Sequence, residues 1–317
     1  MAENIINETA GKKDLNKIIN DLINPIKKNS FANKLWTRFL VLIIIAGVFS
    51  YIYQYMTGLG VTAMRDYSSW GMYIGHFVFL VAVSLVGSLV TAILKLTDMK
   101  WATPVTRISE IIAVAAVALA GLTIIVDMGR PDRILHIPMY GRLSSPIVWD
   151  IVVVNTYLVI SVILLYLPLI PDIAILRDKY TDAPNWQRKL YSTLSLGWKG
   201  TKEQYRLLKK STKIMMVLIM PVALAIHTVT SWLFASTLRT GWNSTIFGPY
   251  FVAGAFMVGA AAVIIGMYFF RRNQGLHEYI TIKHFDMMGK LLVLTSLVYL
   301  YFNINEYLVP AYKMETL

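Results

Sequence analysis

Apolar residues in this chain gather into seven runs, at about 37–57, 70–95, 107–127, 147–169, 214–236, 249–270 and 289–309. Each is close to the ~20 residues an α-helix needs to cross a hydrocarbon core about 30 Å thick. The pattern predicts an all-α polytopic membrane protein with about seven transmembrane helices. Between the fourth and fifth runs, residues 170–213 are too many for a simple connector and are expected to carry helices of their own. There Thr201 followed by Gln204 fits a capping box that opens a helix through Tyr205 to Lys213. Upstream of the first run, Leu15, Ile18, Ile19, Leu22, Ile23 and Ile26 recur at helical spacing among Lys17, Asp21, Lys27 and Lys28. That is an amphipathic helix, lying on headgroups or docked on a partner protein, which Pro25 kinks or ends. The first 36 residues lack the apolar core and small-residue cleavage site of a secretory signal, so the first span is expected to be an uncleaved membrane helix.

Charge orients these spans. With the N-terminus inside, 24 of the 30 Lys and Arg residues fall on the cytoplasmic side, ten of them in 170–213. Only Arg65, Arg130, Arg133, Arg142, Arg239 and Lys313 fall on the other side, a split that the positive-inside rule explains. The formal net charge of +12 therefore reflects topology and anionic headgroups rather than nucleic-acid binding. Trp36, Trp70, Trp101 and Trp149 mark helix starts, and Trp232 a helix end, as an aromatic belt should. No cysteine is present, which removes disulfides, iron–sulfur ligation and thiolate chemistry from this chain. No nucleotide loop, HExxH pair or GxSxG elbow appears.

Four titratable residues lie inside or at the ends of the apolar runs: His76, Asp127, Asp150 and His227. Such groups are costly in a bilayer and are usually functional or paired. At 1.5 Å per residue, His76 lies roughly 9 Å and His227 roughly 13 Å from the outer ends of their helices, while Asp127 ends the third span and Asp150 begins the fourth. Because short loops make consecutive spans neighbours, all four are expected in the outer half of one bundle. A quinol, which loses two protons with two electrons, needs such bases and acceptors within hydrogen-bond reach. Tyr73, Phe77, Phe79, Trp149 and Trp232 could wall its ring and tail. Each feature has a plainer reading: Asp127 capping its helix or pairing with Arg130, and the aromatics serving as core or interface anchors.

The segment Asp127-Met128-Gly129-Arg130-Pro131 resembles the H/D-L-G-R-P signature of the NrfD, or polysulfide reductase membrane-subunit, family. Further likeness lies in Ser145-Pro146-Ile147-Val148-Trp149-Asp150, Leu194-Ser195-Leu196-Gly197-Trp198-Lys199-Gly200, and Ala225-Ile226-His227-Thr228-Val229-Thr230-Ser231-Trp232. Gly248-Pro249-Tyr250-Phe251-Val252-Ala253-Gly254-Ala255 and Asn305-Glu306-Tyr307-Leu308-Val309-Pro310-Ala311-Tyr312 complete it. The larger quinol-oxidising members, in alternative complex III and the menaquinol oxidoreductases of sulfate reducers, are the most similar. The resemblance implies packed four-helix bundles with a quinone site near the outer face of a prokaryotic inner membrane. It further implies quinone or quinol as substrate, with menaquinone the expected type, and no metal or haem bound in this chain. Expected partners are a ferredoxin-like Fe–S subunit on the outer face, multihaem cytochrome c and further membrane subunits. Asp127, Asp150 and His227 fall on motif positions, His76 on a looser match, and Arg130, Tyr73, Phe77, Trp149 and Trp232 are the candidate quinone contacts.

The expected organisation is a cytoplasmic segment (1–36), a peripheral helix (37–57), a quinone-site bundle (70–236) and part of a second bundle (249–317). The missing helices would then belong to a longer sequence or to another chain. Where some relatives read S-W-D-F-A, this chain has Ser231-Trp232-Leu233-Phe234-Ala235, so a carboxylate that could carry protons is absent. Two other readings stay open. One is a cytochrome b-type subunit with His76 and His227 on a haem. The other is an anchor or ion-translocating subunit using Glu110 and Glu306, although Glu110 also sits three residues from Arg107, at local ion-pair spacing.

Overall fold

A computed structural model describes residues 23, 31–64, 71–97, 99–180, 183–236 and 246–313. The amphipathic helix expected around 15–26, with its Pro25 kink, lies outside the described residues but for Ile23, and Arg65, Trp70 and Arg239 lie outside them too. The described residues form helices without strands: α1 (Phe31–Thr57), α2 (Met72–Leu96), α3 (Thr103–Asp127), the short α4 (His136–Tyr140), α5 (Pro146–Lys179), α6 (Asn185–Leu194), α7 (Lys202–Ala235), α8 (Phe247–Asn273) and α9 (Ile282–Lys313). Seven of them, all but α4 and α6, are long and apolar enough to cross a membrane. The all-α polytopic expectation therefore holds.

The chain divides into two compact units. One takes in the described residues up to Tyr53 together with Leu164–Ile214. Its part of α1 leaves nearly every side chain exposed, Leu42, Ile44 and Phe49 among them, as an apolar helix can when its solvent is hydrocarbon. Its small core packs Ile170 and Ala174 against Trp198, with Tyr205 and Leu208 alongside. The Trp198 and Tyr205 rings meet edge to face at 5.0 Å. Arg177 Nη1 donates to Ser195 Oγ at 2.9 Å, and Nη2 to the Trp198 carbonyl at 3.0 Å. The motif Leu194–Gly200 is thus a turn clamped by one guanidinium. Gln204 N–H donates to Thr201 Oγ1 at 3.2 Å and Thr201 N–H to Gln204 Oε1 at 3.3 Å, which is the capping box. The helix it opens does not stop at Lys213 but continues through the fifth span to Ala235, because no breaker separates the polar first turns from the apolar ones.

The second unit comprises Gln54–Ile163 and the residues from Met215 onward. Here α2 packs along α3 and α8, and α8 along α9. Val86, Val90, Val105, Ile108, Ala260, Val263 and Met267 form its core. The helices come close because small residues face each other. A Cβ on Gly87 would collide with the Ser109 carbonyl of α3, and one on Gly259 would sit 2.6 Å from Val86 Cβ. Buried hydroxyls bond internally, as hydrocarbon requires: Tyr157 of α5 donates to the Ser84 carbonyl of α2 at 2.7 Å and meets Ser88 Oγ at 2.5 Å. Glu110, 1 % exposed, pairs across helices with Lys95 in the last turn of α2.

Candidate functional site

The inner face of α7 carries Ala223, Ile226, His227, Thr230 and Ser231, spaced at one-turn intervals and all buried. His227 is 2 % exposed, and its Nδ1 lies 3.0 Å from the Ala223 carbonyl one turn back. A carbonyl only accepts, so Nδ1 carries the proton and the lone pair of a neutral ring resides on Nε2. That Nε2 is buried and has no hydrogen-bond partner among the described residues, and the backbone of Val81 on α2 lies beside the ring. One turn along, Thr230 donates to Asp150 Oδ1 at 2.6 Å. Asp150, in the second turn of α5, is 4 % exposed. Thr230 therefore links a buried carboxylate to the helix face that presents the imidazole.

His227 and Thr230 open onto a cavity of about 240 Å³ between α2, α7, α8 and α9, walled further by Gly75, Phe79, Phe251 and Met257. Two tyrosines, Tyr250 of α8 and Tyr299 of α9, also line it. Their rings stack at 5.1 Å and their hydroxyls lie 2.9 Å apart. Tyr250 also donates to Asn303 Oδ1 at 3.2 Å. Small apolar cavities ringed by few polar groups are the usual form of a ligand site.

The other predicted residues are distributed differently. His76 is exposed, with Nδ1 2.8 Å from the Met72 carbonyl, and it is not part of the cavity wall although Gly75 and Phe79 are. The imidazole pair imagined for a haem is thus not gathered at one cavity. Asp127 ends α3 half-buried, and its Oδ1 has no hydrogen-bond partner among the described residues; Arg130 nearby is exposed. Tyr73 donates to Gln54 Oε1 at 2.6 Å, and Gln54 donates to the Val126 carbonyl at 2.8 Å, which ties three helices together beside Asp127. Phe77 is buried in the helix packing. Trp149 is exposed and its indole N–H donates to the Leu143 carbonyl. Trp232 lines a separate cavity of about 850 Å³ with Thr228 and Phe302. A third groove, about 610 Å³, runs between α3 and α5 and is apolar but for Asn155.

Sequence reasoning passed over Thr230, Tyr250 and Tyr299. Thr230 and Tyr250 stand inside motif segments. Tyr299 shares one helical face with Asn303 and Glu306, a polar stripe in an apolar run that the i, i+4, i+7 spacing makes visible.

Two curated relatives resemble the chain. A putative dimethyl sulfoxide reductase membrane subunit of Halobacterium salinarum is 30 % identical over 231 residues, which is 73 % of this chain and 50 % of the relative. A selenate reductase subunit of Mesobacillus selenatarsenatis is 25 % identical over 248 residues, covering 75 % of this chain and 57 % of that protein. The chain spans about half the length of the curated relatives it matches. The family model described as polysulphide reductase, NrfD, matches residues 60–317, and the chain accordingly belongs to the NrfD family.

Proposed function

We propose that this chain is the quinone-reactive membrane subunit of a reductase complex, oxidising a quinol and passing its electrons to an iron–sulfur partner. The observation that carries the reading is His227: a buried imidazole held by Ala223, with an unpartnered Nε2 at the wall of an apolar cavity. A polar atom buried without a partner is expensive in an apolar medium, and the cost is met when a ligand hydroxyl donates to it. In this reading Nε2 takes a quinol proton, and Asp150, held by Thr230, favours the imidazolium that results. His76 and Asp127 lie off the cavity wall. Both curated relatives are named as reductase subunits, which supports electron flow from quinol to partner. In this reading the N-terminus is cytoplasmic, the membrane is a prokaryotic inner membrane, and the partner sits on the face away from the basic loops.

Replacing His227 by Phe removes the proton acceptor while roughly keeping its volume. A positioned base contributes about 100- to 10,000-fold, so quinol oxidation by the assembled complex should fall at least about 100-fold, with assembly confirmed by co-purification. Near-normal turnover in His227→Phe would refute the assignment.

A further inference from the structure

We propose that Tyr250, Tyr299, Asn303 and Glu306 form a second polar arm of this cavity, which takes the quinol's other proton and delivers it to the C-terminal end of α9. The proposal rests on the quinone reading above. A hydroquinone carries its hydroxyls on opposite sides of the ring. One imidazole serves one of them, so the other needs a second acceptor in the cavity. Tyr250 of α8 and Tyr299 of α9 line the same cavity as His227 and Thr230 of α7.

The hydrogen-bond directions set the order of transfer. The Asn303 side-chain N–H donates to the Tyr299 carbonyl at 2.8 Å, which fixes the amide with Oδ1 as the acceptor for Tyr250. Tyr250 has a single proton and spends it there, so in the 2.9 Å contact between the hydroxyls Tyr299 is the donor. A proton arriving at Tyr299 is thus relayed to Tyr250 and onward past Asn303. Three residues beyond Asn303 on the same face stands Glu306, whose Oε2 is buried and has no hydrogen-bond partner among the described residues. An intramembrane carboxylate is costly and marks proton paths in membrane proteins.

The step balances. One quinol O–H bond breaks and its proton adds to Tyr299 as that hydroxyl gives its own to Tyr250; Tyr250 then releases the proton it had turned toward Asn303, and that proton adds to the carboxylate of Glu306, whose charge acts on Tyr250. The other proton goes to His227 Nε2, and the two electrons leave singly to iron–sulfur clusters of the partner.

The test uses the intact complex with a short-chain naphthoquinol as substrate and the matching naphthoquinone as binding probe. Glu306→Gln should lower turnover by about 100-fold, the lower end for a positioned proton acceptor, and remove one limb of the pH–rate profile, while naphthoquinone binding is unchanged. Glu306→Asp should restore most of the rate. Tyr250→Phe combined with Tyr299→Phe should reproduce the Glu306→Gln profile. Wild-type turnover and an unaltered profile in Glu306→Gln would overturn the relay, as would equal losses in Gln and Asp variants accompanied by weaker binding. If His227→Phe stops turnover while Glu306→Gln does not, the relay alone is wrong. If the wild-type complex fails to bind the naphthoquinone, the quinone reading falls with it.

Discussion

Thr230 holds the buried carboxyl of the site, since its hydroxyl donates to Asp150 Oδ1. Thr230→Val keeps the shape and deletes that donor. Leaving a buried acceptor unpaired costs about 1–3 kcal/mol, so the variant should melt earlier than wild type in a thermal-shift assay, and Thr230→Ser should recover the loss. His227 and Asp150 were legible in the sequence because titratable groups are rare in apolar runs. His76 met the same criterion, yet the rotation of α2 turns it outward, and a residue's face is set by which neighbours its helix packs against. Tyr250 and Tyr299 were not legible for the opposite reason. Tyr250 stands near a helix start, where tyrosine is usually an interface anchor, Tyr299 stands mid-helix in an apolar run, and only the pairing of α8 with α9 stacks the two.

At the scale of helices, the seven spans and the Thr201–Gln204 cap follow from hydropathy and local hydrogen bonding, and both stand. The continuity of α7 from Lys202 to Ala235 was hidden because polar and apolar stretches of one helix look like separate elements. Close packing offers a direct contrast. Gly259→Leu forces a side chain into Val86, and overpacking costs about 1–3 kcal/mol, whereas Gly47 on exposed α1 has nothing within 4 Å of its would-be Cβ. Detergent-solubilised Gly259→Leu should aggregate on heating at a lower temperature than wild type, and Gly47→Leu should not. The Leu194–Gly200 motif gains a structural meaning from Arg177. Arg177→Ala removes two charge-assisted bonds to that turn, each worth about 1.5–3 kcal/mol, and hydrogen exchange of residues 195–200 should accelerate while that of α8 stays unchanged.

For the whole molecule, the uneven placement of Lys and Arg predicts that Lys202 and Arg142 lie on opposite sides of the membrane. The chain has no cysteine, so single cysteines at these positions report without background: a membrane-impermeant maleimide should label Arg142→Cys in intact cells and Lys202→Cys only after permeabilisation. Labelling of both from one side would contradict the topology. Broad exposure of large apolar side chains, on α1 and α9 above all, is what a chain solvated by lipid or by other helices shows. The sequence by itself determined the class, the number of spans, their expected orientation and the family, because these rest on one-dimensional quantities: run length, charge asymmetry and motif order. Tertiary structure alone decided that His227 faces a cavity and His76 does not, that Glu110 meets Lys95 across helices in addition to the nearby charge of Arg107 on its own helix, and that α8 and α9 join α7 in walling the cavity. Each of those depends on the rotation and pairing of helices, which van der Waals contact between small residues selects among many arrangements of equal hydropathy.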